Sequence, residues 1–189
     1  WVGMPHEPER PATISDRMVE TMVEWGVRWV FGMVGHSNLG LADAIRRRCE
    51  QDDERLRYVG IRHEGAAAFA VSAYGKLTGR PAAALAIAGP GATNLLTGLW
   101  DAHVDHAPAL ALTGQVQTQV LGRGAFQEIP LAKAFAEVAR FSHAVLHASN
   151  HVELMNLACK HALLEQNVAH LIFPDEVQNL PAAAETKPG

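Results

Sequence analysis

The run Arg62-His63-Glu64-Gly65-Ala66-Ala67-Ala68 sets a single acid among small residues, and it is the stretch best suited to chemistry. A short apolar segment ends near Ile61 and a helical pattern runs from Ala66 to Leu77, so Glu64 falls in the first turn of a helix at the carboxyl end of a strand. In an open parallel α/β sheet that edge is where ligands bind. An acid in a first turn is also stabilised by the helix dipole and by unpaired backbone N–H groups, with no ligand needed, so Glu64 alone decides nothing. Two further features fall on the same edge. Gly89-Pro90-Gly91-Ala92-Thr93-Asn94 follows a strand and opens a helix, the setting of a phosphate-binding turn. Asn94 stands where a dinucleotide fingerprint has its third glycine, and the Gly-Lys-Ser/Thr of a Walker loop is absent. Two glycines around a rigid proline let the backbone approach a flat ligand, and Asn94 can donate or accept there; a plain strand-to-helix turn accounts for the segment equally well. His36 sits in the loop Gly32-Met33-Val34-Gly35-His36-Ser37-Asn38 at the end of the first strand. It reads either as a titrating group facing a ligand or as a histidine whose bonds the loop satisfies.

Other constellations are weaker. His103-Val104-Asp105-His106 and the series His143, His147, His151 have spacings a metal can use. The first is a loop entry and the second is interrupted by Ser149-Asn150, so no metal ligands are expected. No Gly-x-Ser-x-Gly nucleophile elbow occurs.

The elements that must hold these residues alternate. Thr13 or Ser15 caps a helix carrying Ile14, Met18, Val19, Met22 and Val23, which Gly26 closes. Strands are predicted over 27–34, 56–61, 82–88, 109–114, 141–146 and 168–173, and helices over 39–49, 66–77, 95–104, 131–140 and 150–166, with a charged turn over 51–55 and a polar loop over 115–127. Strands alternating with helices of ten to fifteen residues predict βαβ units. The fold class is therefore α/β: a three-layer α/β/α, doubly wound, mostly parallel sheet of about six strands. The boundaries read as a lead over 1–12, a domain over 13–178 and a linker over 179–189, and a first residue Trp1 suggests a piece of a longer protein.

Composition narrows the classes. A chain of 189 residues with 48% hydrophobic content suffices for one core. A net charge of −4, with no basic run longer than Arg46-Arg47-Arg48, gives no footprint for nucleic acid. No apolar stretch approaches the roughly 20 residues that span a bilayer and no signal-peptide pattern opens the chain, so no integral membrane segment and a cytoplasmic location are expected. Cys49 and Cys159 lack CxxC spacing and read as reduced thiols.

In order along the chain, Phe31-Gly32-Met33-Val34-Gly35, Arg62-His63-Glu64, Gly89 to Asn94, Thr113-Gly114-Gln115-Val116 and Ala125-Phe126-Gln127-Glu128 form a set. That set resembles the N-terminal pyrimidine-binding domain of thiamine diphosphate enzymes, in the acetolactate synthase and pyruvate oxidase branch, over roughly residues 14–175. Trp100 to Pro108 is more similar to the pyruvate oxidases, Thr113 to Val116 to acetolactate synthase. The resemblance implies a flavodoxin-like fold and thiamine diphosphate as cofactor. It makes Glu64 the catalytic group that hydrogen-bonds the aminopyrimidine and so lets the cofactor deprotonate itself and attack a 2-oxo acid such as pyruvate. Gly35, Gly89, Pro90 and Asn94 would line the ring with Glu64, while His36, Phe126 and Gln127 would face the substrate. Gln115 reads as a strand-end hydrogen bond. The family holds Mg²⁺ and the diphosphate on a second domain with Gly-Asp-Gly and Asn-Asn, and neither motif occurs here. The resemblance thus implies that this stretch alone is inert and that its site closes against the diphosphate-binding domain of another subunit, in a homodimer or homotetramer. It also admits FAD in the parent, held largely by a middle domain. The alternatives are a free-standing, non-catalytic binding or assembly subunit that keeps the fold, and a flavodoxin-like nucleotide-binding domain.

Overall fold

The computed structural model describes residues 11–51 and 55–182; most of the expected lead, the middle of the charged turn and the end of the expected linker lie outside them. Helix α1 (Ile14–Glu24) begins at Thr13, whose hydroxyl accepts from the Asp16 amide at 3.2 Å while the Thr13 amide donates to the Asp16 carboxylate at 2.8 Å, a reciprocal cap. Thr13 rather than Ser15 is the cap. Gly26, at φ 86°, turns the chain into β1 (Trp29–Gly32). Then come α2 (Leu39–Cys49), β2 (Arg57–Gly60), α3 (Glu64–Thr78), β3 (Ala82–Ala86), α4 (Pro90–Asn94), α5 (Leu96–Val104) and β4 (Ala109–Gln115). The series ends with α6 (Leu131–Ala134), β5 (Ala139–Ala144), α7 (His151–Leu164), β6 (Val168–Pro174) and α8 (Asp175–Gln178).

All six strands run parallel, in the order β2-β1-β3-β4-β6-β5. The expected three-layer, doubly wound fold is present. The chain moves outward from β1 to β2 and then crosses back to place β3 on the other side of β1, so the loops after β1 and β3 diverge at a topological switch point. Alternation along the strands sends Leu85, Leu110, Leu112, Leu171 and Phe173 to a face covered by α1, α2 and α7. The opposite face, with Ala82, Ala84, Ala86, Ala109 and Ala111, lies under α3, α4, α5 and α6.

Three local expectations are corrected. The segment predicted as a helix over 131–140 is one turn, Leu131–Ala134; fully buried Phe135 stacks on His170 at 3.8 Å, and the chain reaches the sheet as β5 by Ala139. The tight turn expected at Gly89 to Asn94 is already helical from Pro90, where proline's fixed φ suits the first helical position. A short helix, α8, follows Pro174, and residues 180–182 pair back onto 12–14, Ile14 donating to Leu180 O at 2.9 Å. Both cysteines are free; burial pushes the Cys159 thiol up to about 12. Among the described residues no helix is long and apolar enough to cross a membrane.

Candidate functional site

Glu64 is the first residue of α3, at the carboxyl end of β2, and is 6% exposed. His63 caps the helix, its Nδ1 accepting from the Gly65 amide at 3.1 Å. The carboxyl is held from across the switch point: Asn94 Nδ2, at the end of α4, donates to Glu64 Oε2 at 3.0 Å. The two motifs that stand 30 residues apart in sequence therefore share one hydrogen bond between the buried Glu64 and the exposed Asn94. The other oxygen lies over Gly91, where a Cβ would come within 3.0 Å of Oε1 and 2.5 Å of Ile87 Cγ1. A side chain there would clash with Ile87 and crowd the carboxyl.

Gly89 is required for two independent reasons. Its φ of 67° is in the left-handed region, and a Cβ on it would fall 2.6 Å from the Gln127 carbonyl oxygen. Gln127 is itself at φ 64°, and its side-chain oxygen is buried without a partner. A non-glycine left-handed residue and an unsatisfied buried amide oxygen, packed on a glycine turn, are both costly features. They sit where the 115–131 segment packs on the turn after β3. Gly35 approaches the cleft from the third side: a Cβ on it would lie 2.6 Å from Ile87 Cγ2. Ile87 thus packs against both Gly35 and Gly91.

His36 and Phe126 form an outer pair, ring centroids 6.3 Å apart with Phe126 79% exposed. Pro90, exposed, opens α4. Glu128 pins its own loop. Its carboxylate accepts from the Gly122 amide at 2.5 Å and from Ala125 at 3.0 Å, and these two backbone donors hold its pKa below the usual glutamate range. Gln115 makes a strand-end link, donating to Ile129 O at 2.9 Å.

The structure therefore brings Glu64, Asn94, Gly89, Gly91, Gly35 and Gln127 together, with His36 and Phe126 beside them. Two of the histidines weighed as metal ligands have protein partners. His103 bonds Asn167 at 2.9 Å, and His143 packs on Phe141 at 4.6 Å. Four residues of the neighbourhood were not legible as such: the cap His63, the packing centre Ile87, and the buried Ser37 and Gln178. Gln178 sits in a four-residue helix whose sequence carries no signal of a partner.

What can this arrangement do? A carboxyl withdrawn from water, oriented by an amide and faced by glycines, can share a proton with one nitrogen of a flat heterocycle lying against the turn. The family described as thiamine pyrophosphate enzyme, N-terminal TPP binding domain, matches residues 12–136. A putative thiamine pyrophosphate-containing protein, YdaP, of Bacillus subtilis is 40% identical over 165 residues, covering 87% of this chain and 28% of the relative. Pyruvate oxidase of Lactiplantibacillus plantarum is 33% identical over 87% of this chain and 27% of its own length. An acetolactate synthase of Arthrospira platensis is 42% identical over 70% of this chain and 22% of its own. The chain spans less than a third of the length of each of these three relatives.

Proposed function

This chain belongs to the family of thiamine pyrophosphate enzyme N-terminal binding domains, and from that premise we propose that it supplies the pyrimidine half of a thiamine diphosphate site in a 2-oxo acid decarboxylating enzyme. One observation carries the reading: Glu64 is buried at the switch point with its carboxyl held by Asn94 and bordered by Gly91. The residues present fit the cofactor. Glu64 offers a carboxyl to the ring nitrogen of an aminopyrimidine, and the Gln127 side-chain oxygen, packed on the Gly89 turn, is buried without a partner and free to accept from a bound group. When bound, the thiazolium of the cofactor supplies a nucleophilic carbon and a store for the electrons released by decarboxylation.

The chain's own part is binding, orientation and proton control. Glu64 holds or shares a proton at the pyrimidine nitrogen, in a position where burial strengthens the interaction. Asn94 fixes which carboxyl oxygen faces the ring. Gly35, Gly89 and Pro90 border it, and His36, Phe126 and Gln127 face the substrate, a small 2-oxo acid such as pyruvate. The buried, unpartnered Gln127 oxygen is a ready acceptor for a donor arriving with cofactor or substrate.

The parent is pyruvate oxidase-like or acetolactate synthase-like, a cytoplasmic homodimer or homotetramer with Mg²⁺ and diphosphate held by a separate domain of another subunit. FAD in the parent accords with the pyruvate oxidase relative. The stretch described here is inert by itself. The test is turnover of pyruvate, with thiamine diphosphate and Mg²⁺, by the assembled enzyme carrying Glu64→Gln. A loss of about 10²-fold or more in turnover is expected for a proton-handling group; unchanged turnover would remove the assignment.

A further inference from the structure

Helix α2 lacks the cap its sequence offers. Asn38 stands at the N-cap, but its side chain turns back into the loop, accepting from the Gly35 amide at 2.9 Å and donating to Met33 O at 3.1 Å. The cap comes instead from the far end of the chain. Gln178, fully buried at the end of α8, accepts from the Leu41 amide at 3.0 Å. Its amide nitrogen spends both hydrogens nearby, on Ser37 O at 2.8 Å and on Phe173 O at 3.1 Å. Every polar atom of that side chain is used, which makes the position intolerant of displacement.

Ser37 passes the constraint on. It is 1% exposed, and its hydroxyl accepts from the Ala88 amide at 2.8 Å, immediately before the Gly89 turn. Its carbonyl is clamped on the opposite side by β4, since a Cβ on Gly114 would meet Ser37 O at 2.3 Å. A three-residue turn, His36–Asn38, is thereby tied to the ends of β3, β4 and β6 at once. The residue preceding Ser37 is His36, and the residue following Ala88 is Gly89.

We infer that Gln178 is a positioning residue for the site: through Ser37 it sets both the His36 turn and the Gly89 turn, and so couples α8 to the residues around Glu64. The inference rests on the proposed function for the meaning of those residues, but the coupling itself is readable without any ligand. Movement imposed on α8 by whatever chain follows it would be felt at Ala88, 90 residues earlier.

The test is amide hydrogen exchange by NMR on this chain with Gln178→Met, close in shape and without the amide. The rates of Leu41 and Ala88 are compared with that of Leu112 in β4, which reports global opening. Loss of the Gln178 cap accelerates Leu41 directly; coupling requires that Ala88, which Gln178 does not touch, also exchanges at least tenfold faster relative to Leu112. Thiamine diphosphate titrated into the same samples should bind at least threefold more weakly to the variant. Cys159→Ala, a core truncation on α7, should leave the Ala88 to Leu112 ratio and the affinity unchanged. If Gln178→Met does not fold, Gln178→Asn, one methylene too short to reach both Leu41 and Ser37, is read in the same way. Acceleration confined to Leu41, or an unchanged affinity despite faster exchange at Ala88, overturns the inference. Wild-type chain that exchanges as expected yet shows no cofactor binding at all would count against the proposed function and leave the coupling standing.

Discussion

One face of the sheet is packed with Leu85, Leu110, Leu112, Leu171 and Phe173 beneath α1, α2 and α7; the other carries Ala82, Ala84, Ala86, Ala109 and Ala111 beneath α3 and α5. The difference is one of spacing. Leucine and phenylalanine hold helices away from the sheet and bury much apolar area per residue, whereas alanine lets backbones approach. On the alanine face the neighbouring segments also lie close to α3: a Cβ on Gly98 of α5 would fall 2.6 Å from the Phe69 nitrogen of α3, and one on Gly75 of α3 would fall 2.7 Å from Pro108 O in the loop after α5. Glu64 is the first residue of α3, so how closely α3 sits on the sheet and against α5 decides whether its carboxyl meets Asn94. The large-residue face mainly supplies stability, and the small-residue face sets the geometry of the site.

That division can be attacked from both sides. Truncating the thick face, by Leu112→Ala, should cost about 3 kcal/mol in urea unfolding through lost burial and a cavity, while cofactor affinity of the folded fraction stays the same. Adding to the thin face, by Gly98→Ala, should cost less, about 2 kcal/mol, yet weaken cofactor binding, because the added methyl must lift α3. An affinity unchanged by Gly98→Ala would erase the distinction between the faces.

The thin side also carries a titrating group. His170 on β6 is fully buried, between Thr113 at 2.8 Å and Ser142 at 2.9 Å, and burial lowers its pKa from 6.5 to about 3. The folded state therefore keeps it neutral where the unfolded chain takes up a proton. Its contribution is intact above about pH 6.5 and is lost as pH falls from there toward 3, at about 1.4 kcal/mol per pH unit. Denaturant midpoints for wild type and His170→Asn between pH 7 and 5 should converge as pH falls; parallel curves would show that His170 does not carry the acid limb. The smallest effect is expected on the outer seam between α3 and α5. There buried Ser72 donates to Asp101 at 2.6 Å, and Lys76 reaches the same carboxylate at 2.7 Å. Ser72→Ala should cost about 1 kcal/mol, measurable by urea unfolding, with no change in affinity.

What sequence alone reveals follows the range of the interactions. The small-residue pattern of Ala66 to Ala70 and Ala82 to Ala86 and the acid entering α3 are local signals, and each marks its element correctly, while the segment from Gly89 marks the strand end but not the helix that opens at Pro90. The pairing of Glu64 with Asn94 needs only the parallel order of strands to be anticipated. The helical periodicity of Leu131 to Arg140 misleads because Phe135 is buried against His170, a contact 35 residues away that ends the helix after one turn. Gln178 and Ser37 are illegible for the same reason. Their partners lie 141 residues apart, and neither residue type is unusual in its own window. Gln127's left-handed backbone depends on its packing against Gly89, which no pattern within the 115–131 segment reports.

The claim beneath all of this is that the Glu64 carboxyl, held by Asn94, receives an aminopyrimidine. The most direct measurement is an NMR titration of thiamine diphosphate into this chain and into Glu64→Gln, following the Asn94 side-chain amide and the Gly89 and Gly91 backbone signals. Saturable shifts at those three positions in the wild type, with binding at least tenfold weaker in the variant, are the predicted result; equal binding by both proteins, or shifts confined to other parts of the surface, would contradict it.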